Sequence, residues 1–172
     1  AVVLTLLVVA RGWPWAPAAA PPPAALPANA VVHKNVDGDT IEVTLGDEGP
    51  PVVVRLLGID TPESVKHLSP VQCYGIEASA RTRALLPPGT RLHLVTDVEE
   101  RDQYGRLLAY VYRADDGLFV NLSLVQDGYA SILSHRPNTA HATELSAAAT
   151  RARAEGRGLW AACPAAEGRR VA

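Results

Sequence analysis

A chain of 172 residues, 48% of them hydrophobic, is long enough for a single domain with its own packed core. Aromatic residues make up only 5%, so Val, Leu and Ala must build that interior. A formal net charge of -2 excludes a strongly basic surface that would coat nucleic acid indiscriminately, so any phosphate ligand has to be drawn by a few arginines or a metal ion.

Residues 1–10, AVVLTLLVVA, are apolar but too few to span a bilayer, which takes about 20 residues. They fit the hydrophobic region of a secretory signal, with small residues following at Ala18-Ala19-Ala20 and Ala28-Asn29-Ala30. No basic segment precedes the run and the chain does not start with Met, which points to residues further upstream; a membrane anchor and a core strand are the alternative readings. Residues 13–27 are rich in Ala and Pro and read as a linker or the end of a leader, with Trp13 and Trp15 suited to a membrane interface. The expected organisation is therefore a signal or anchor remnant plus linker over 1–30, a folded domain over 31–163 and a flexible tail over 164–172. The expected location is outside the cell or on its surface.

From residue 31 short strands follow closely. Strands are predicted over 31–36 and 40–45, flanking the hairpin signal Asp37-Gly38. Residues 47–51, Asp-Glu-Gly-Pro-Pro, form a turn, and a continuous apolar run over 52–57, broken only by Arg55, reads as a third strand. A helix is predicted over 76–86, stopped by Pro87-Pro88-Gly89. Strands follow over 91–98 and 107–112. A short helix is expected over 122–127, with Gly128 as its stop, then a loop over 131–137. The Ala-rich segment 140–155 is expected to be helical, with Leu145, Ala148, Ala149 and Ala152 on one stripe and Asn138 or Thr139 as N-cap. Leu159-Trp160 is expected to fold back as a hydrophobic anchor. Five strands, a helix between the third and fourth, and two helices at the end indicate an α+β domain that is mostly barrel: a five-stranded oligonucleotide/oligosaccharide-binding (OB-fold) barrel with three helices.

In an exported chain the even pair Cys73 and Cys163 suggests a disulfide, and two unpaired small hydrophobes are the alternative. Such a bond would close a loop of about 90 residues, worth roughly 4 to 5 kcal/mol by chain entropy.

Three carboxylates stand out. Asp39 lies in Asp37-Gly-Asp-Thr40, and Asp60 and Glu63 lie in Arg55-Leu-Leu-Gly-Ile-Asp-Thr-Pro-Glu63. They are hard oxygen ligands with no neighbouring His or Cys, which favours calcium or magnesium over zinc. The Thr61 carbonyl, waters and a substrate phosphate would complete the shell, and Pro62 fixes the chain direction beyond Thr61. Arg55 interrupts an apolar strand, where a guanidinium is costly unless it is paired or faces solvent. Arg106, beside Gly105 at the start of the fifth strand, is the second fork suited to a phosphate. Glu63 has two possible duties: to orient or deprotonate an attacking water, or to tune the metal through water. His33, His67, His93 and His141 read as surface or strand residues.

These blocks, with Tyr74-Gly-Ile-Glu-Ala-Ser79 and Asp102-Gln-Tyr-Gly-Arg-Leu-Leu-Ala-Tyr110, resemble the staphylococcal nuclease (thermonuclease) family in order and spacing over about residues 31–160. The resemblance implies a five-stranded barrel with three helices and a calcium-dependent phosphodiesterase acting on DNA and RNA. It implies calcium (Ca2+) held by Asp39, Asp60 and the Thr61 carbonyl, Arg55 and Arg106 on the phosphate, and Glu63 at the attacking water. It further implies that water attacks phosphorus and the 5′-oxygen leaves, giving 3′-phosphorylated products. Tyr104 matches a family tyrosine near the bound nucleotide, and Cys73 and Cys163 resemble a pair in exported bacterial relatives.

The chain also departs from the family pattern. Positions often occupied by Lys in the family are Val65, Ser69 and Gln103 here, which weakens attraction to the phosphate backbone. The loop 131–136 has no tyrosine for the nucleotide pocket, and Tyr129 or His135 is the available substitute. The expected protein is a monomer whose partners are DNA and RNA, with membrane contact only through the N-terminal segment. A non-catalytic binding module of the same fold is the alternative; retention of all five charged residues favours the enzyme.

Overall fold

The structure, a computed structural model, describes residues 24–46, 49–64 and 70–163. The expected leader, most of the linker, the tail, His67, Val65, Ser69 and part of the turn at 47–51 lie outside the described residues. Among those described, no helix is long and apolar enough to cross a membrane.

The barrel is built from β1 (Ala30–Asn35), β2 (Thr40–Leu45), β3 (Pro51–Leu56), β5 (Arg91–Val95) and β6 (Leu107–Arg113). They close in the order β1-β2-β3-β6-β5, with β5 returning to β1. Every pairing is antiparallel except β3 with β6, which run parallel. Alternation along each strand places Ile41, Val43, Val54, Leu56, Leu92, Leu94 and Val111 in one core, closed by Leu124 and Val125 of α2 (Val120–Gln126) and Leu145 and Ala148 of α3 (Ala142–Ala154). The predicted barrel is thus present, and the Ala-rich stripe on α3 packs as expected, with Leu145, Ala148 and Ala152 buried. The helix between the third and fourth barrel strands, α1, runs Gly75–Leu85.

Period-two geometry accounts for the polar break in β3. Val54 and Leu56 enter the core, so Arg55 between them leaves it and is paired in register with Thr40 on β2 and Leu108 on β6. The chain then turns at Gly58, whose φ of +77° suits glycine and where a Cβ would meet Leu145 Cδ1 at 2.6 Å. This turn brings β4 (Ile59–Asp60) back beside the barrel.

The segment 131–137, expected as loop, contributes β7 (Ser131–Ile132), which pairs with β4 through Ile59↔Ile132 and Asp60↔Ser131. The strand expected over 91–98 stops at Val95, because the chain beyond leaves the ladder to meet the loop before α3. There Asn138 donates to the Glu99 carbonyl and accepts from the Glu99 N–H, both at 2.8 Å. Asn138 is thereby occupied and does not cap α3, nor does Thr139; His141 is the N-cap residue. His141 is also more than a surface residue. Its ring lies 4.5 Å from that of Tyr110 and 4.8 Å from that of Phe119, and its Nδ1 is 3.1 Å from Glu144. The expected anchor Leu159-Trp160 forms a short fourth helix, α4 (Leu159–Ala162), with Leu159 buried. A Cys73–Cys163 disulfide ties the end of α4 to the residues preceding α1.

Candidate functional site

A cleft of about 660 Å³ opens where the β1–β2 turn, the end of β3, β4 and the start of β6 meet. Asp39, Arg55, Asp60, Thr61, Glu63 and Arg106 all line it. These six residues, up to 67 positions apart in the chain, therefore share one wall. Asp37, Gln72 and His135 line the same space.

Arg55 is the centre of the polar network. Its Nη1 donates to the carbonyls of Leu56 and Ile59, each at 2.8 Å. Its Nη2 lies 2.9 Å from Asp60 Oδ1 and 3.1 Å from Asp39 Oδ2. With a side-chain exposure of 11% it does not face solvent; the strand's polar break is a paired, buried charge.

Asp39 is equally engaged. Its Oδ1 accepts from the Thr40 hydroxyl at 2.9 Å and its Oδ2 from the Thr61 N–H at 3.0 Å. These bonds stitch the β1–β2 turn to the chain just after β4. A second stitch runs from the Ser64 hydroxyl to Asp37 Oδ1. Asp60 is held by β7, whose Ser131 hydroxyl donates to its carbonyl at 3.2 Å.

The electrostatics do not balance on one guanidinium. Burial pushes the Asp60 carboxyl above its ordinary range, and the negative charges of Asp39 and Asp37 push the same way, outweighing the downward pull of Arg55. Burial is the largest cause of the rise, and the short ion pair with Arg55 works against it. The surplus of acid is seen in the geometry, where Asp39 and Asp60 share one amino group of Arg55. An oxygen-only donor set with surplus negative charge suits a hard divalent cation. Among the described residues, no three His, Cys, Asp or Glu side chains are gathered as a metal-binding group. Asp39 and Asp60 would therefore need carbonyl, water or phosphate oxygens to complete a shell, and Glu63 does not join them as a third ligand in this arrangement.

Arg106 is positioned differently. Its Nε donates to Asp102 Oδ2 at 2.7 Å, while Asp102 Oδ1 accepts the N–H groups of Tyr104 and Arg106. The terminal amino groups of Arg106 have no hydrogen-bond partner among the described residues. Tyr104 is 75% exposed and stands beside Arg106, with the guanidinium carbon 5.5 Å from its ring centroid.

Tyr104 and Tyr129 are not among the described residues that line the cleft. Tyr129 packs on Tyr74, ring centroids 5.4 Å apart, and the Arg81 guanidinium carbon lies over the Tyr129 ring, 5.9 Å from its centroid. Of the two substitutes proposed for a pocket tyrosine, it is His135 that borders the cleft. Sequence reasoning passed over Asp37, Gln72 and Asp102. Asp37 and Asp102 lie within the blocks already singled out, so their proximity was visible; Gln72 carried no such signal.

A family model described as staphylococcal nuclease homologue matches residues 53–162. The thermonuclease of Staphylococcus intermedius is 37% identical over 130 residues, covering 76% of this chain and 74% of that protein. The thermonuclease of Staphylococcus hyicus is 36% identical over 129 residues, covering 75% and 73%. Endonuclease YncB of Bacillus subtilis (strain 168) is 38% identical over 134 residues, covering 77% of this chain and 61% of the relative.

Proposed function

This chain belongs to the staphylococcal nuclease family, and on that premise we propose that it is an exported, calcium-dependent nuclease that hydrolyses phosphodiester bonds in DNA and RNA. The observation that carries this reading is the convergence of Asp39, Asp60, Arg55, Glu63 and Arg106 on one cleft.

Asp39, Asp60 and the Thr61 carbonyl are the groups that would hold calcium. Bound there, the ion would polarise a phosphate oxygen and offset the acid surplus around Asp60. Arg106, its Nε edge fastened by Asp102, presents its terminal amino groups to the phosphate and stabilises charge developing on the phosphoryl oxygens. Arg55 shares one amino group between Asp39 and Asp60, so it grips phosphate to the extent that those carboxylates give their charge to a cation. Glu63 orients a water and takes its proton as the water oxygen attacks phosphorus. The bond from phosphorus to the 5′-oxygen breaks and the departing oxygen takes a proton from solvent water, leaving a 3′-phosphate on one product and a 5′-hydroxyl on the other.

The disulfide supports export, since such bonds persist in oxidising surroundings. The net charge of -2 predicts weak non-specific retention on polynucleotides, with selectivity resting on the cleft. End-group analysis of digested oligonucleotides tests the chemistry. Products bearing 3′-phosphate and 5′-hydroxyl ends are expected, and 5′-phosphate ends would overturn the proposed direction of cleavage.

A further inference from the structure

Glu63 is held through its backbone by a residue outside every motif. Its N–H donates to the Gln72 side-chain Oε1 at 2.9 Å, and its carbonyl accepts the Gln72 backbone N–H at 3.0 Å. One residue thus pairs with Glu63 in both directions. The space around the clamp is tight. Gly75, the first residue of α1, lies so close that a Cβ there would sit 2.5 Å from the Glu63 carbonyl oxygen. Gln72 itself is anchored by its neighbour, because Cys73 is bonded to Cys163 at the end of α4. On the other flank, Thr61 and Ser64 are tied to Asp39 and Asp37.

We propose that Gln72 is a positioning residue for Glu63: its amide oxygen fixes the Glu63 N–H, and so the direction in which the carboxylate meets the attacking water, while the Cys73–Cys163 bond keeps Gln72 in place. This rests on the reading of Glu63 as the group that activates water. Gln72 is exposed, so the clamp adds little to global stability and its effect belongs in catalysis. Misplacing a reacting group by about 1 Å costs on the order of 100-fold in rate.

The test compares Gln72→Ala and Gln72→Glu with the unaltered protein, in calcium, on a DNA oligonucleotide. Gln72→Ala is expected to lower kcat by about 10- to 100-fold with KM and calcium dependence unchanged. Gln72→Glu keeps an acceptor oxygen at the same place and is expected to restore most of kcat. Hydrogen exchange of the Glu63 amide is read in parallel, and it requires no activity. It should speed up in Gln72→Ala and stay slow in Gln72→Glu. An unchanged Glu63 exchange rate in Gln72→Ala overturns the clamp. Faster exchange with unchanged kcat overturns its catalytic role, as does a fall in kcat that Gln72→Glu does not restore. If the unaltered protein cleaves nothing while its Glu63 amide is protected and released by Gln72→Ala, the nuclease reading fails and takes the catalytic part of the proposal with it.

Discussion

The carboxylate of Asp102 grips Arg106 by its Nε, 2.7 Å away, and also accepts the Arg106 backbone N–H. A side chain and its own backbone are thus fixed by one acid whose side chain is only 6% exposed. The grip fills the inner edge of the guanidinium and leaves the outer edge for a ligand. Replacing Arg106 by Lys removes both the fork and the Nε donor. Arg106→Lys is expected to lower kcat by about 10³-fold or more while the fold persists, as measured by steady-state kinetics and circular dichroism. Near-full turnover would remove Arg106 from the phosphate.

Asp102 also carries a pH signature. Burial by itself pushes its carboxyl up, but hydrogen bonds from the Arg106 side chain and the Arg106 and Tyr104 backbones outweigh that and hold it below its ordinary value. A depressed folded pKa contributes stability that is present above the unfolded value of 3.8 and is lost as pH falls through the folded value. Asp102→Asn is therefore expected to lower Tm most near neutral pH, with the gap from the unaltered protein closing at pH below 3.8. A gap that is constant with pH would contradict this.

Asp60 runs the opposite way. Its raised folded pKa means that its ionised form opposes folding. Its favourable contribution is complete below 3.8 and is lost as pH rises through the folded value. Without calcium at pH 7, Asp60→Asn is expected to be at least as stable as the unaltered protein, while calorimetric calcium affinity falls sharply. Arg55→Gln should do the reverse to stability. It strips the shared cation from Asp39 and Asp60 and is expected to cost about 3 kcal/mol, the low end for breaking a buried pair because Asp60 is 33% exposed. Equal losses in both variants by thermal melting would contradict the acid surplus.

Glu63→Gln keeps the shape of the side chain and removes its capacity to take a proton. Calcium binding should persist while kcat falls by about 10² to 10⁴. Unchanged turnover would leave Glu63 without a part in activating water.

Reduction of the Cys73–Cys163 bond, or the double substitution of both residues by Ser, is expected to lower Tm. The residues are 90 positions apart, which places the chain-entropy contribution at roughly 4 to 5 kcal/mol as an upper figure. Identical melting curves with and without reductant would show that the bond contributes nothing.

Much of this molecule was legible from residue order because β2 and β5 alternate buried and more exposed positions, β3 and β6 are apolar runs, and the turns carry Gly, Pro and Asp where the chain reverses. Arg55 was conspicuous for the same reason, as the one charge in an apolar run. What escaped was fixed by contacts distant in sequence. The β4–β7 ladder is only two residues long on each side, and its pairing exists because Gly58 turns the chain back onto the segment at 131–132. Asn138 has the composition of a helix cap, yet a partner 39 positions away, Glu99, takes both of its side-chain bonds. His141 is an ordinary polar residue in sequence, and only the fold brings Tyr110 and Phe119 against it. Gln72 has no motif around it, since its importance lies in reaching back nine positions to Glu63.

The most direct measurement is digestion of single-stranded DNA and RNA by the purified protein in millimolar calcium, with a chelator control and Asp39→Ala alongside. The account predicts cleavage of both polymers in calcium, none in chelator and none by Asp39→Ala. Cleavage that survives the chelator or the loss of Asp39, or no cleavage at all by the unaltered protein in calcium, would contradict it.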